Sequence, residues 1–314
     1  VSFENLEISM TPQLTSQLTL GPVLYNWPAE SWRDFYFQIA DEAPVDIVFL
    51  GEVVCAKRAP LVEAYLADVV ERLEKAGKAL VFSTLAEVAS DIDRRLVKQV
   101  AASDGIFIEA NDTSALWHLD GQPHAIGPYI NVYNEDSLDF LAGNGARSVC
   151  LPPEMPASAI AALGKRAAEI NVELEVQVYG RIPLALSARC YHARAHEKTK
   201  DSCQFICDRD ADGMVLRTLE DEPFLTINGT QTQSYTILNL INELDELAAS
   251  GVGRFRISPQ STGTVAVAKS FHGLLNRELT PAEAQEQLQE CELDAPVSNG
   301  FYYQQPGYEW QARI

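Results

Sequence analysis

The chain has 314 residues, 46% hydrophobic and 22% charged, enough apolar material for a full core and too much for a disordered protein. A formal net charge of -20 repels polyanions and disfavours nucleic acid as a partner. No apolar run is long enough to span a bilayer, and the opening VSFENLEISMTPQLTSQ lacks the cations and apolar stretch of a secretion signal, so a cytoplasmic location is expected.

In chain order, LGPVLYNW (Leu20 to Trp27) reads as a buried strand, and AESWRDFYFQIADE follows as an amphipathic helix. VDIVFL (Val45 to Leu50) is a second strand. Leu61 to Ala76 then places Leu61, Val62, Tyr65, Leu66, Val69, Val70 and Leu73 on one helical face, closed by Gly77. KALVFST at Lys78 is a strand, Ile92, Leu96 and Val100 form a helical stripe, and GIFIEA at Gly105 is another strand. HAIGPYINVYN (His124 to Asn134), SVCLPP (Ser148 to Pro153) and VELEVQVYG (Val172 to Gly180) continue the series, with helical segments at Ser137 to Leu141 and Ala157 to Ile170. RFRISPQ (Arg254 to Gln260), after a helical YTILNLINELDELAASG, supplies an eighth strand.

Strands that alternate with helices imply a parallel sheet, and eight such units predict a closed (β/α)8 barrel of the TIM type in one domain, residues 20–295. Residues 1–19 are expected to be a flexible extension, and residues 296–314 an irregular tail packed on the body. Between strands 7 and 8 an insertion breaks the rhythm, with a cysteine-bearing loop and then MVLRTLEDEPFLTINGTQTQS, which reads as a hairpin.

Sites in such barrels collect on the loops after the strands, which directs attention to the thiols. Cys190, Cys203 and Cys207 form a C-x12-C-x3-C array, close enough to share a metal centre but one ligand short. Cys55, at the second strand's end beside Lys57 and Arg58, is the best remote fourth ligand, since cationic neighbours favour its thiolate form. Spacing leaves two metals open: zinc, with His192 or His196 as an added ligand, or an iron–sulfur cluster on four thiolates. Cys150, in a strand, and Cys291, at a helix end, read as free structural thiols. His118, His124 and His272 read as satisfied structural residues. Glu52, Lys57, Arg58, Arg181 and Arg256 lie near strand ends, where solvated ion pairs or contacts to an anionic substrate are both open. Asn228 to Ser234, NGTQTQS, reads as a turn.

FLGEVVCAKR, YGRIPLALSARC, the C-x12-C-x3-C array, TINGTQT and RISPQ together resemble the collagenase-like peptidase family, over nearly the whole chain from Leu20. The resemblance is to its branch in oxygen-independent ubiquinone biosynthesis. It implies an iron–sulfur subunit that hydroxylates an aromatic quinone precursor as a heterodimer with a homologous partner, with a lipid-carrier protein of the same pathway as a further partner. It implies a 4Fe-4S cluster on Cys55, Cys190, Cys203 and Cys207. RNA-hydroxylating relatives and a zinc-stabilised, non-catalytic scaffold are the alternatives. Relatives named as proteases carry a Gly-Ala-Leu-Cys-like signature where this chain has YGRIPLALSARC, which argues against a peptidase.

Overall fold

The computed structural model describes residues 16–291 and 295–312. Eight parallel strands form the barrel: β1 (Gln17–Leu20), β2 (Ile47–Leu50), β3 (Ala79–Ser83), β4 (Phe107–Ala110), β5 (His124–Ile126), β6 (Ala146–Leu151), β7 (Glu173–Leu186) and, after the insertion, β11 (Val252–Ile257). Each pairs with the next, and β11 pairs in parallel with both β7 and β1, which closes the ring. The helices between them are α1 (Ala29–Glu42), α2 (Ala59–Lys75), α3 (Asp91–Ala101), α4 (Thr113–Leu119), α5 (Glu135–Gly143) and α6 (Ala157–Ile170). The insertion carries α7 (Tyr191–Ala195), β8 (Met214–Arg217), β9 (Pro223–Asn228), β10 (Gln231–Asn239) and α8 (Leu244–Ala249); α9 (Thr264–Leu275), α10 (Pro281–Glu290) and β12 (Val297–Ser298) follow. The fold is the expected TIM-type (β/α)8 barrel with an insertion between its seventh and eighth strands.

Strand alternation sorts the side chains. Leu18, Leu20, Val48, Leu50, Val149, Leu174, Val176 and Phe255 join the main core, which the barrel shares with its helices. The alternate positions form a barrel interior that is polar as well as aromatic. The Arg256 guanidinium stacks 4.0 Å from the Phe49 ring and donates through Nη2 to Glu109 Oε1 at 2.6 Å and Glu175 Oε2 at 2.5 Å. Ser83 and Asn111 also donate to Glu109, and Thr19 to Glu175, so both carboxylates are held by several donors at once. Arg256 is therefore a buried barrel tie, neither a solvated ion pair nor a strand-end contact.

Several elements differ from the reading of the sequence. The first strand is Gln17–Leu20: Gly21 adds one ladder bond, to the Ile257 carbonyl at 2.8 Å, and Val23 to Trp27 are buried as a loop. Apolar content marked burial there, not pairing. Gln17 to Thr19 thus belong to the barrel, and the rest of the expected extension, residues 1–15, lies outside the described residues. The fifth strand stops at Ile126, where Gly127 and Pro128 turn the chain. Tyr235 to Asn239 continue β10 instead of starting a helix; apolar residues buried on both faces there fit either period. In α3 the buried face carries Asp93 and Val97, while Ile92 is half exposed, because Asp93 is held inward by its capping box with Ser90. The insertion has three strands, not two. β8, β9 and β10 pair antiparallel in that order, and β10 adds to the extension of β7 beyond the barrel.

Residues 296–312 pack irregularly on this extension: β12 pairs with β10, Ser298 bonds Thr236 at 2.8 Å, and Tyr303 donates to Glu243 at 2.8 Å.

Replacing Arg256 by Met strips two buried carboxylates of their cation. Loss of one partner of a buried charge group costs about 3–5 kcal/mol. Denaturant unfolding of the variant should show that loss, and an unchanged midpoint would refute the role given to Arg256.

Candidate metal centre

Four segments meet at the carboxyl-terminal mouth of the barrel. The first, residues 51–58, leaves β2 through Gly51, whose φ of 110° and whose approach to Ser83 leave no room for a Cβ. Glu52 Oε1 then accepts from the backbone N–H groups of Val54 and Cys55 at 2.8 and 2.9 Å, which fixes Cys55 at the rim. The second is the loop after β1, whose Asn26 and Trp27 donate to the carbonyls of Phe205 and Ala211.

The third is the thiol loop. Cys190 precedes α7 and its sulfur accepts from Ala193 N–H at 3.3 Å. Gln204 and Phe205, between Cys203 and Cys207, both adopt left-handed backbone, with φ of 52° and 54°. Each such non-glycine residue costs about 1–2 kcal/mol, strain of the kind that collects at functional sites.

The fourth is the two-residue turn between β9 and β10; the turn expected over Asn228 to Ser234 is confined to Gly229 and Thr230, since Asn228 ends β9 and Gln231 to Ser234 begin β10. It pins the other loops together. Asn228 bonds both Arg58 and the Leu24 carbonyl; Gly229 accepts from His192 N–H; Thr230 donates to Val54 and accepts from Ser187 N–H.

The centre of this meeting point is Arg58, 3% exposed. Its Nη1 donates to the Leu24 carbonyl at 2.9 Å and its Nη2 to Asn228 at 3.1 Å. It lies within electrostatic reach of Cys207 and Cys55, and acts in the same way on Cys190, which also senses Cys203 and Cys207. Lys57 Nζ lies 3.8 Å from Cys203 Sγ and donates to the carbonyls of Lys200 and Asp201. The structure thus gathers Cys55, Cys190, Cys203 and Cys207 about two neighbouring cations. Cys190 and Cys207 are buried, and Cys55 and Cys203 half-buried.

Burial outweighs the cations for the protonation of Cys55. Desolvation raises its thiol above the ordinary value, with Arg58 opposing, so the expectation of a favoured thiolate in the free residue is corrected. Cys190 is raised for the same leading reason. Thiols gathered beside a buried guanidinium and an ammonium suit an anionic metal–thiolate group, which would ionise the sulfurs and give the cations a counter-charge. The residues present fit such a group. Among the described residues, no three cysteine sulfurs come within 4.8 Å of one another.

The chain matches the sequence profile of peptidase family U32 over residues 30–312. It belongs to that family. Among solved structures, it covers 90% of its length against 72% of a phospho-2-dehydro-3-deoxyheptonate aldolase from Thermotoga maritima, at 11% identity and a TM-score of 0.41. Against a chitinase-like agglutinin from Robinia pseudoacacia the shares are 82% and 99%, at 9% identity and 0.36. Likenesses of this size say nothing about chemistry.

The other candidates resolve as follows. Cys150 lies inside the barrel, its thiol pushed well up by burial, and Cys291 follows α10. His124 Nδ1 contacts the Gln122 carbonyl at 2.7 Å, His272 Nε2 contacts the Asn276 amide, and His118 sits in the last turn of α4. Arg181 is buried and donates to the carbonyls of Ser234 and Tyr235, so it braces the β7–β10 extension and is not a solvated ion pair. Sequence reasoning missed Glu109, Glu175 and the clamping role of Asn228; NGT offered a turn signal and nothing more. Among the described residues, no helix is long and apolar enough to cross a membrane.

Two outcomes check this arrangement. Gly229 has φ of 63°, and a Cβ there would stand 2.5 Å from Arg58 Nη2, so Gly229→Ala should cost more than about 1 kcal/mol in unfolding experiments. In metal-free protein, alkylation of Cys55 and Cys190, followed by mass spectrometry, should accelerate only as pH passes above the ordinary thiol value of 9.0, because a raised pKa delays the thiolate. Half-maximal rates at or below that value would contradict it.

Proposed function

We propose that this chain is the iron–sulfur subunit of an oxygen-independent hydroxylase, the UbiV-type member of family U32. It works with a homologous UbiU-type partner on the aromatic ring of a ubiquinone precursor. The observation that carries this reading is the convergence of Cys55, far upstream, with Cys190 and Cys207 on the buried Arg58, and of Cys203 on the neighbouring Lys57. Cys55, Cys190, Cys203 and Cys207 hold a 4Fe-4S cluster, and Arg58 and Lys57 offset its negative charge. Bound there, the cluster would supply electron transfer or activation of an oxygen donor at the barrel mouth.

Sulfur spacing favours the cluster over zinc. Four thiolates on one zinc ion, each about 2.3 Å from it, stand roughly 3.8 Å apart, whereas a cluster spreads them over four metal atoms. Among the described residues, no cysteine trio gathers within 4.8 Å. That weighs against the zinc-stabilised scaffold, and the net charge of -20 weighs against an RNA-hydroxylating role. A partner of the same fold and a lipid carrier that delivers the apolar precursor complete the proposed assembly.

Purification under nitrogen should give a brown protein with about four irons and four sulfides per chain. A colourless protein carrying zinc on its thiols would sink the proposal. Cys55→Ala should lose most of the iron, and iron content equal to that of the unaltered chain would remove Cys55 from the ligand set.

A further inference from the structure

The two histidines of the thiol loop do not join the sulfurs. His192 lies in α7 and His196 follows it four residues later, so both project from one side of a single turn, their rings stacked at 22° with centroids 5.8 Å apart. The chain then passes Cys203 and Cys207 and returns Asp210 to the same point, where its Oδ2 lies 2.9 Å from His192 Nε2. One nitrogen from each ring and one oxygen of Asp210 all lie within 4.8 Å of one another.

A histidine–aspartate hydrogen bond alone leaves some of this arrangement without a cause. The fully buried His192 meets Asp210 through Nε2, and among the described residues the buried Nε2 of His196 has no hydrogen-bond partner. A shielded nitrogen left unpaired costs about 1–3 kcal/mol, a cost that a bound cation removes. Two imidazoles and one carboxylate are borderline donors that suit Zn2+ or Fe2+ better than Mg2+ or Ca2+, and three protein ligands leave a coordination position open. The Asp210 side chain is 32% exposed, which gives an ion a way in.

We propose that His192, His196 and Asp210 form a second site, mononuclear and free of sulfur, for a divalent ion of the Zn2+ or Fe2+ class. The ion ties α7 to the segment after Cys207, and so fixes the loop that presents Cys190, Cys203 and Cys207. The site uses no thiol, and it stands or falls separately from the cluster.

Full-length protein purified under nitrogen, its iron and sulfide measured, is titrated with Co2+. One equivalent should bind with the weak visible bands of nitrogen and oxygen coordination, without a sulfur-to-cobalt charge-transfer band, and with iron and sulfide unchanged. Zn2+ should displace it. His196→Ala and Asp210→Asn should each lose that equivalent while retaining the iron content and circular dichroism of the unaltered protein. Absence of Co2+ uptake, a thiolate charge-transfer band, or variants that keep the equivalent would overturn the proposal. Should a variant fail to fold, the cobalt spectrum of the unaltered chain decides by itself. Should the protein prove to lack iron, the same titration still reads the histidine–aspartate site.

Discussion

The barrel mouth is organised around a cation removed from water. Taking a guanidinium out of solvent costs several kcal/mol, and Arg58 recovers that cost only through a carbonyl, an amide oxygen, a thiol and the nearby charge of Glu52. Each partner comes from a different stretch of the chain: the loop after β1, the loop after β2, the β9–β10 turn and the thiol loop. Displace any one and the charge is left exposed to an apolar wall. This dependence makes the insertion an integral wall of the barrel instead of an appendage.

A second buried arginine has the complementary role, deeper in the barrel. Arg256 joins two carboxylates, from β4 and β7, across the interior, so the strands whose ends carry the upper loops are fixed relative to one another. The lower group is closed to solvent, and the upper one has thiols at its rim. A rigid floor beneath the rim is what a positioned site requires. Cys150 shows the contrast. It is a thiol near Arg256, deep in the barrel and pushed well up by burial, whereas Cys55 and Cys203 at the rim are half-buried.

Much of this was legible in the sequence, and the failures have physical causes. All the barrel strands but the first announced themselves by short β-branched runs between helices, and the place of Cys55 beyond a strand end was legible too. What periodicity could not separate was burial from pairing: Val23 to Trp27 and Tyr235 to Asn239 are largely buried, so their apolar runs carried no decisive period. Arg256 reads as a surface charge, and Glu109 and Glu175 draw no notice, because nothing local marks a polar barrel interior; their neutralisation joins residues far apart in sequence. Asn228 is underweighted for the same reason. Turn chemistry predicts a bend, and says nothing about what the bend will touch.

Ring closure by β11 also sets an order of events. β1, near the start of the described chain, has one neighbour at once in β2 but waits for its other until residues 252–257 exist. The thiols share that delay, since Cys55 is made long before the loop that carries the other three. During synthesis on the ribosome, Cys55 therefore spends most of the elongation time as a lone sulfur on an open, curved sheet, and long-range closure of this kind is slow. The thiol loop is made before the turn and the last strand that hold it in place, so the mouth gains its sulfurs before it gains its shape.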